Sequence, residues 1–172
     1  LDFLKKMYPL AEELLKYYQK YQRDDGLLEK VEEQWNLVDW PDNLRDGYDF
    51  DLSKPVGPGC HNVVNAFYCG MVKTINKIRD ILNRSYQNKF PQLKQTFIET
   101  FYDENRKLFT DAETSEHCSL HGNILPLFFG LNPPAAASTI VDYVREKRLN
   151  CGVYMSYFVL KALARAGEHE LV

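Results

Sequence analysis

The sequence predicts an all-α fold of antiparallel helical hairpins with one long aromatic and acidic loop. Three observations predict it. Apolar residues recur at i, i+3, i+4 spacing in six separate stretches. Turn signals (Asp-Gly, Asn-Pro and single glycines) fall at the borders of those stretches. One segment, 24–59, has no apolar period, yet holds both Trp residues, four of the nine Gly and three of the eight Pro. With 172 residues, 45% hydrophobic and 13% aromatic, the chain suits one domain and is not a disordered tract. A net charge of -3 offers no footprint for nucleic-acid phosphates, and no apolar run is long enough for a membrane span.

The elements follow in order. Leu4, Leu10, Leu14 and Tyr18 mark a first helix that Pro9 should kink or restart and Asp24-Asp25-Gly26 should stop. Within 24–59, Trp35 to Trp40 reads as a short strand. Cys60 to Lys89 contains no Pro, and Val64, Phe67, Met71, Ile75, Ile78 and Leu82 predict one long buried helix. Pro91 opens another, with Leu93, Phe97, Ile98 and Phe101 inward. Residues 102–116 read as a polar connector, and 119–129 as a helix closed by Gly130. Asn132-Pro133 should start the next, Asn capping its free N–H groups. The last runs over about 153–166 to Gly167. Periodicity does not choose between a bundle, a solenoid and a toroid. The chain opens on Leu1 inside a helical pattern and stops just after another, so 1–172 reads as a single partial domain, truncated at both ends.

The loop holds the chemistry. Asp24, Asp25, Glu29, Glu32, Glu33, Asp39, Asp42, Asp46, Asp49 and Asp51 are opposed there only by Lys30 and Arg45. The bland reading is a solvated acidic loop. The sharper one notes Trp35, Trp40, Tyr48 and Phe50 among the acids. Aromatic faces stack on sugar C–H surfaces, Asp, Asn and Arg bind hydroxyls, and carboxylates serve as acid and base in glycoside hydrolysis. A calcium reading of Asp46, Asp49 and Asp51 lacks EF-hand spacing. His117 and His121 would share a helix face, but a zinc site needs a third ligand, such as His61 or Cys118, and H-E-x-x-H is absent. No metal or cofactor is therefore expected. Nor is there a G-x-S-x-G or a Gly-rich phosphate loop. Cys60, Cys69, Cys118 and Cys151 read as free thiols, and Asn83-Arg84-Ser85 as an incidental glycosylation match.

Several segments, in order and across nearly the whole chain, resemble the catalytic domain of α-L-rhamnosidases, glycoside hydrolase family 78. They are Tyr8-Pro9 with its helix ending at Asp25-Gly26-Leu27-Leu28, and Leu37-Val38-Asp39-Trp40-Pro41, like the family's G-D-W loop with Val38 in place of Gly. The helix over Cys60–Leu82, the run Cys118 to Leu131 and the run Cys151-Gly152-Val153-Tyr154 to Gly167 complete the set. The resemblance implies part of an (α/α)₆ barrel, with 24–59 as a substrate-facing loop and inverting hydrolysis of terminal α-L-rhamnosides by the parent enzyme. It places the general acid before Leu1 and the general base after Val172, so no catalytic residue is assigned within the chain. It implies that Asp39 and Trp40 line the sugar pocket. Asn43, Arg45 and Tyr48 join them on chemistry, and His117, His121 and Tyr154 as residues at helix starts facing the barrel mouth. The expected partner is a rhamnose-containing glycan or glycoside, in a periplasmic or secreted setting for the parent. The alternatives are another helical-toroid carbohydrate enzyme, or a non-enzymatic helical domain whose acidic loop binds a basic partner. Unpartnered barrel faces should lead the isolated chain to self-associate.

Overall fold

Helix α1 (Asp2–Gln19) continues through Pro9 rather than restarting there. The computed structural model describes residues 1–33 and 36–171; Trp35, and with it the start of the strand expected over 35–40, lies outside them. Asn36–Trp40 form no strand. Helix α2 (Asn62–Ile81) stops well short of Lys89. The reason is a left-handed Asn83 (φ 52°), which lets the Arg84 N–H turn back to the Arg79 carbonyl at 2.8 Å. Asparagine takes that conformation more readily than most residues, and the motif satisfies the last carbonyls. Asn88 Oδ1 then accepts from the Phe90 N–H (3.1 Å) to start α3 (Phe90–Phe101).

The polar connector contains a small antiparallel hairpin, β1 (Tyr102–Asp103) with β2 (Leu108–Phe109). Ser119 caps α4 (Leu120–Phe129) by accepting from the Gly122 N–H at 3.0 Å, and Gly130 closes it at φ 71°. The next helix does not start at Asn132-Pro133. The Asn132 side chain donates to the Pro133 carbonyl instead (3.0 Å), a 3₁₀ turn covers Pro134–Ala136, and α5 spans Ala137–Lys147. Helix α6 (Val153–Arg165) ends before a left-handed Gly167, as expected.

Helices α2, α4 and α6 lie side by side, α4 in the middle, while α1 and α3 pack on α2 and α5 packs on α4. Central α4 is buried from Leu120 through Pro126, whereas α1 buries only Leu15. Phe97, Phe101 and Phe109 cluster behind the row. Each such burial contributes on the order of 1.5–3 kcal/mol.

Two details fix the α2–α4 contact. A side chain at Gly70 would overlap the Phe129 ring. Pro126, inside α4, has no N–H to offer the Gly122 carbonyl, and Asn62 Nδ2 donates to that carbonyl at 2.9 Å. At the edges of the row, Leu10 and Leu14 on α1 and Val153 and Tyr157 on α6 are exposed. These are the two faces on which the self-association expected above would occur. Among the described residues no helix is long and apolar enough to cross a membrane.

Candidate functional site

The segments 20–61, 102–119 and 148–152 lead into the N-termini of α2, α4 and α6, and hydrogen bonds draw these three ends together. Free N–H groups at a helix start carry partial positive charge and favour carboxylates. The buried acids answer that demand. Asp46 Oδ2 accepts from the Leu120 N–H (2.8 Å) and its Oδ1 from Lys147 Nζ (3.1 Å) and Asn150 Nδ2 (2.7 Å). Asp111 Oδ1 accepts from the Ser119 N–H at 2.8 Å, and its Oδ2 from the Asp49 N–H at 2.9 Å. Ahead of α2, Glu113 accepts from the Cys60 N–H (2.9 Å) and Glu29 from the Gly59 N–H (3.1 Å). Arg23, at 2.9 Å, holds the Glu113 carboxyl below the usual range despite partial burial. Of the ten acids in the loop, Asp39 and Asp46 are buried, whereas Asp24, Glu33, Asp42, Asp49 and Asp51 stay exposed.

Asp39 ties the loop to two helices. It is only 3% exposed. Its Oδ2 accepts from His121 Nε2 (2.9 Å) and the Gly152 N–H (2.7 Å), and its Oδ1 from the Trp40 N–H (2.9 Å). Any side chain at Gly152 would overlap Asp39 Oδ1, and its Cβ would stand 2.7 Å from the Trp40 carbonyl. The clamp leaves the Trp40 side chain 65% exposed. Trp40 lines a shallow cleft of about 370 Å³ with Asn36, Leu37, Arg45, Phe50 and Asp51. Arg45 pairs there with Asp42.

A second cleft, of about 230 Å³, shares Asn36, Leu37 and Leu52 with the first. Val38, Val64, Phe67, His61 and Tyr154 complete much of its wall. Below it, the Tyr48 hydroxyl donates to the Asp111 carbonyl (2.9 Å), accepts from the Val63 N–H (3.1 Å) and lies 3.0 Å from His61 Nδ1. Burial pushes the Tyr48 phenol well up and His61 down to about 3.

The sequence-predicted residues thus divide. Trp40, Arg45 and Tyr154 line the adjoining clefts. Asp39 and His121 lie behind them as buried supports, and Tyr48 sits half-buried beneath the second cleft. Asn43 is exposed on the 3₁₀ turn Asp42–Leu44 and lines neither cleft. His117 Nδ1 bonds Asp111 Oδ2 at 2.6 Å, and its ring faces Gly47. It does not share a helix face with His121: α4 begins after it, and the two histidines join different carboxylates. Burial lowers the His121 pKa against the raising effect of Asp39, so the ring is neutral at pH 7.

Asp46, Asp49 and Asp51 also diverge, toward Leu120, Ser115 and Ser53. Among the described residues no three His, Cys, Asp or Glu side chains converge as a ligand set. The four thiols are buried and unpaired.

Sequence reasoning missed Asp111, Asp46 as a helix anchor, and His61 except as a spare zinc ligand. Asp111 sits eight positions before Ser119, too far for a capping motif to reveal it. His61, directly before the helix that follows Gly57-Pro58-Gly59, is the one that position alone could have signalled.

A family model described as bacterial alpha-L-rhamnosidase 6 hairpin glycosidase domain matches residues 1–172. The GH78 family rhamnosidase of Bacillus sp. GL1 superposes with a TM-score of 0.78 at 18% identity, over 99% of this chain and 18% of that one. The Streptomyces avermitilis alpha-L-rhamnosidase, solved with L-rhamnose, superposes with a TM-score of 0.67 at 16% identity, over 98% of this chain and 15% of that one. The chain thus spans less than a fifth of the solved rhamnosidases it matches. No curated protein sequence matches it.

Proposed function

The chain belongs to the family of bacterial α-L-rhamnosidase six-hairpin glycosidase domains, and on that premise we propose that it supplies part of the sugar-binding surface of an inverting α-L-rhamnosidase. The observation that carries the reading is Trp40: a large aromatic face left in solvent while its own backbone is fixed by Asp39 and Gly152. An exposed indole on a fixed backbone is suited to stacking on a sugar ring. Arg45 and Asn36 offer donors to hydroxyls beside it, and Tyr154 extends the surface into the second cleft. Asp39, His121 and Tyr48 act from behind as positioning residues.

Inverting hydrolysis needs a general acid with a raised pKa and a general base across the sugar from it. Neither role is assigned to a residue of this chain. Asp39, Asp46 and Asp111 are occupied by helix-end N–H groups and cations. In the first cleft, Asp42 is paired with Arg45, and the Ser53 hydroxyl holds Asp51 below the usual carboxylate range.

The test is hydrolysis of an aryl α-L-rhamnoside by the complete native reading frame and by residues 1–172 alone. The expected result is turnover by the complete protein and none by the isolated chain. A folded complete protein that cleaves no α-L-rhamnoside would overturn the proposal.

A further inference from the structure

We infer that the foot of the helix row, at the end away from the Trp40 cleft, binds a tetrahedral oxyanion (phosphate or sulfate) through Lys73, Lys94 and Arg165, with Lys77 beside them. The site is independent of the sugar-binding surface. Helix α4 separates the two, and its ten residues span roughly 15 Å.

Three cations from three helices meet the last turn of α4. Arg165 Nη1, on α6, donates to the Phe128 carbonyl at 3.0 Å. Lys73 Nζ, on α2, donates to the Phe129 carbonyl at 2.6 Å, and Lys94 Nζ, on α3, to the Gly130 carbonyl at 2.7 Å. Capping explains one such cation, not three. A helix C-terminus carries about half an elementary negative charge. The start of α3 carries the opposite partial charge, and it stands beside the cluster: the Phe90 ring lies 5.6 Å from Lys73 Nζ. The two helix ends nearly cancel, and the side-chain charge is left over.

No carboxylate balances it. Among the described residues, none of Lys73, Lys77, Lys94 and Arg165 has an acid within ion-pair distance. The cations act on one another instead. Partial burial, and then the charges of Lys77, Lys94 and Arg165, hold the Lys73 ammonium below the usual lysine range. An anion among these heads would relieve that repulsion.

The donors fit an anion with oxygens in several directions. Each ammonium has used one of its three protons on a carbonyl, and the guanidinium one of its five. Their positions are fixed before any ligand arrives. The carbonyls hold the lysine heads, and the Arg165 guanidinium sits 4.5 Å over the Phe128 ring. Two ammoniums and a guanidinium outnumber the two coplanar oxygens and single charge of a carboxylate. A tetrahedral oxyanion offers more of both.

The experiment titrates the complete reading frame with inorganic phosphate and inorganic sulfate by calorimetry, at constant ionic strength balanced with chloride. Saturable binding is expected, with a melting temperature that rises in phosphate or sulfate above its value in chloride or acetate. Lys94→Gln and Arg165→Gln, both at the surface, should each weaken phosphate binding by roughly tenfold. Lys54→Gln makes the same change in net charge at the loop end and should leave binding unaltered. A hexose phosphate is the third ligand: tighter binding than inorganic phosphate assigns an esterified anion, and weaker binding a free one.

The wild-type titrations need no variant to fold. Absence of saturable phosphate and sulfate binding would overturn the inference, and an equal rise of the melting temperature in acetate would overturn the tetrahedral assignment. Equal weakening by Lys54→Gln and Lys94→Gln would reduce the effect to net charge and overturn the site. Hydrolysis of rhamnosides enters none of these readouts.

Discussion

Asp39 and His61 show two uses of a buried polar residue. Asp39 is saturated: three N–H groups from three parts of the chain meet its two oxygens. His61 is satisfied on one side only. Its protonation carries a prediction. A histidine whose folded pKa is about 3, against about 6.5 unfolded, binds a proton more readily in the unfolded chain. Its contribution to stability is thus complete above pH ~6.5 and lost as pH falls toward ~3. His121, also lowered by burial, acts in the same direction. Unfolding free energy from urea titrations should fall with a slope of up to about 1.4 kcal/mol per pH unit from each histidine. His61→Phe should flatten that slope. An unchanged slope in the variant would contradict a neutral, buried His61.

Trp40 and Arg45 were legible at this scale because aromatic and hydroxyl-binding residues in a loop state their chemistry by type. The burial of Asp39 was not, since nothing local shows that its partners lie at His121 and Gly152.

At the scale of elements, the two buried acids of the loop are explained by where helices begin. Asp46 meets the positive end of α4 and Asp39 that of α6, which spacing along the chain could not reveal. Helix existence was legible throughout, and boundaries less so. α2 ends at a left-handed Asn83 inside a stretch without Pro, and α5 waits for a 3₁₀ turn after Asn132-Pro133. Asparagine has enough conformational tolerance for both outcomes, so the sequence alone does not decide.

The α2–α4 seam offers a test. Asn62 Nδ2 serves the Gly122 carbonyl that Pro126 strands, and the Thr110 carbonyl at 2.9 Å. Asn62→Ala should cost about 2 kcal/mol by urea unfolding. In a Pro126→Ala background, a main-chain N–H becomes available to Gly122, and the cost should fall by about 1 kcal/mol. Strict additivity of the two changes would contradict this account of the seam.

For the whole molecule, hairpins stacked in a row bring three helix starts to one end, and the long loop is fastened over them. The all-α class and the hairpin order were readable from periodicity. Choosing a six-hairpin glycosidase domain over a bundle needed the ordered resemblance, because helical spacing is the same in both. The architecture sets Trp40 outward beside these helix starts, with a buried carboxylate as its anchor.

The central claim is that this face binds the sugar, and Trp40→Ala in the complete reading frame tests it most directly. Removing a stacked aromatic worth roughly 1–3 kcal/mol should lower kcat/KM on an aryl α-L-rhamnoside by roughly 10- to 100-fold, with the melting temperature little changed because the side chain is exposed. Unaltered kinetics in a folded Trp40→Ala enzyme would contradict the assignment of this surface to the substrate.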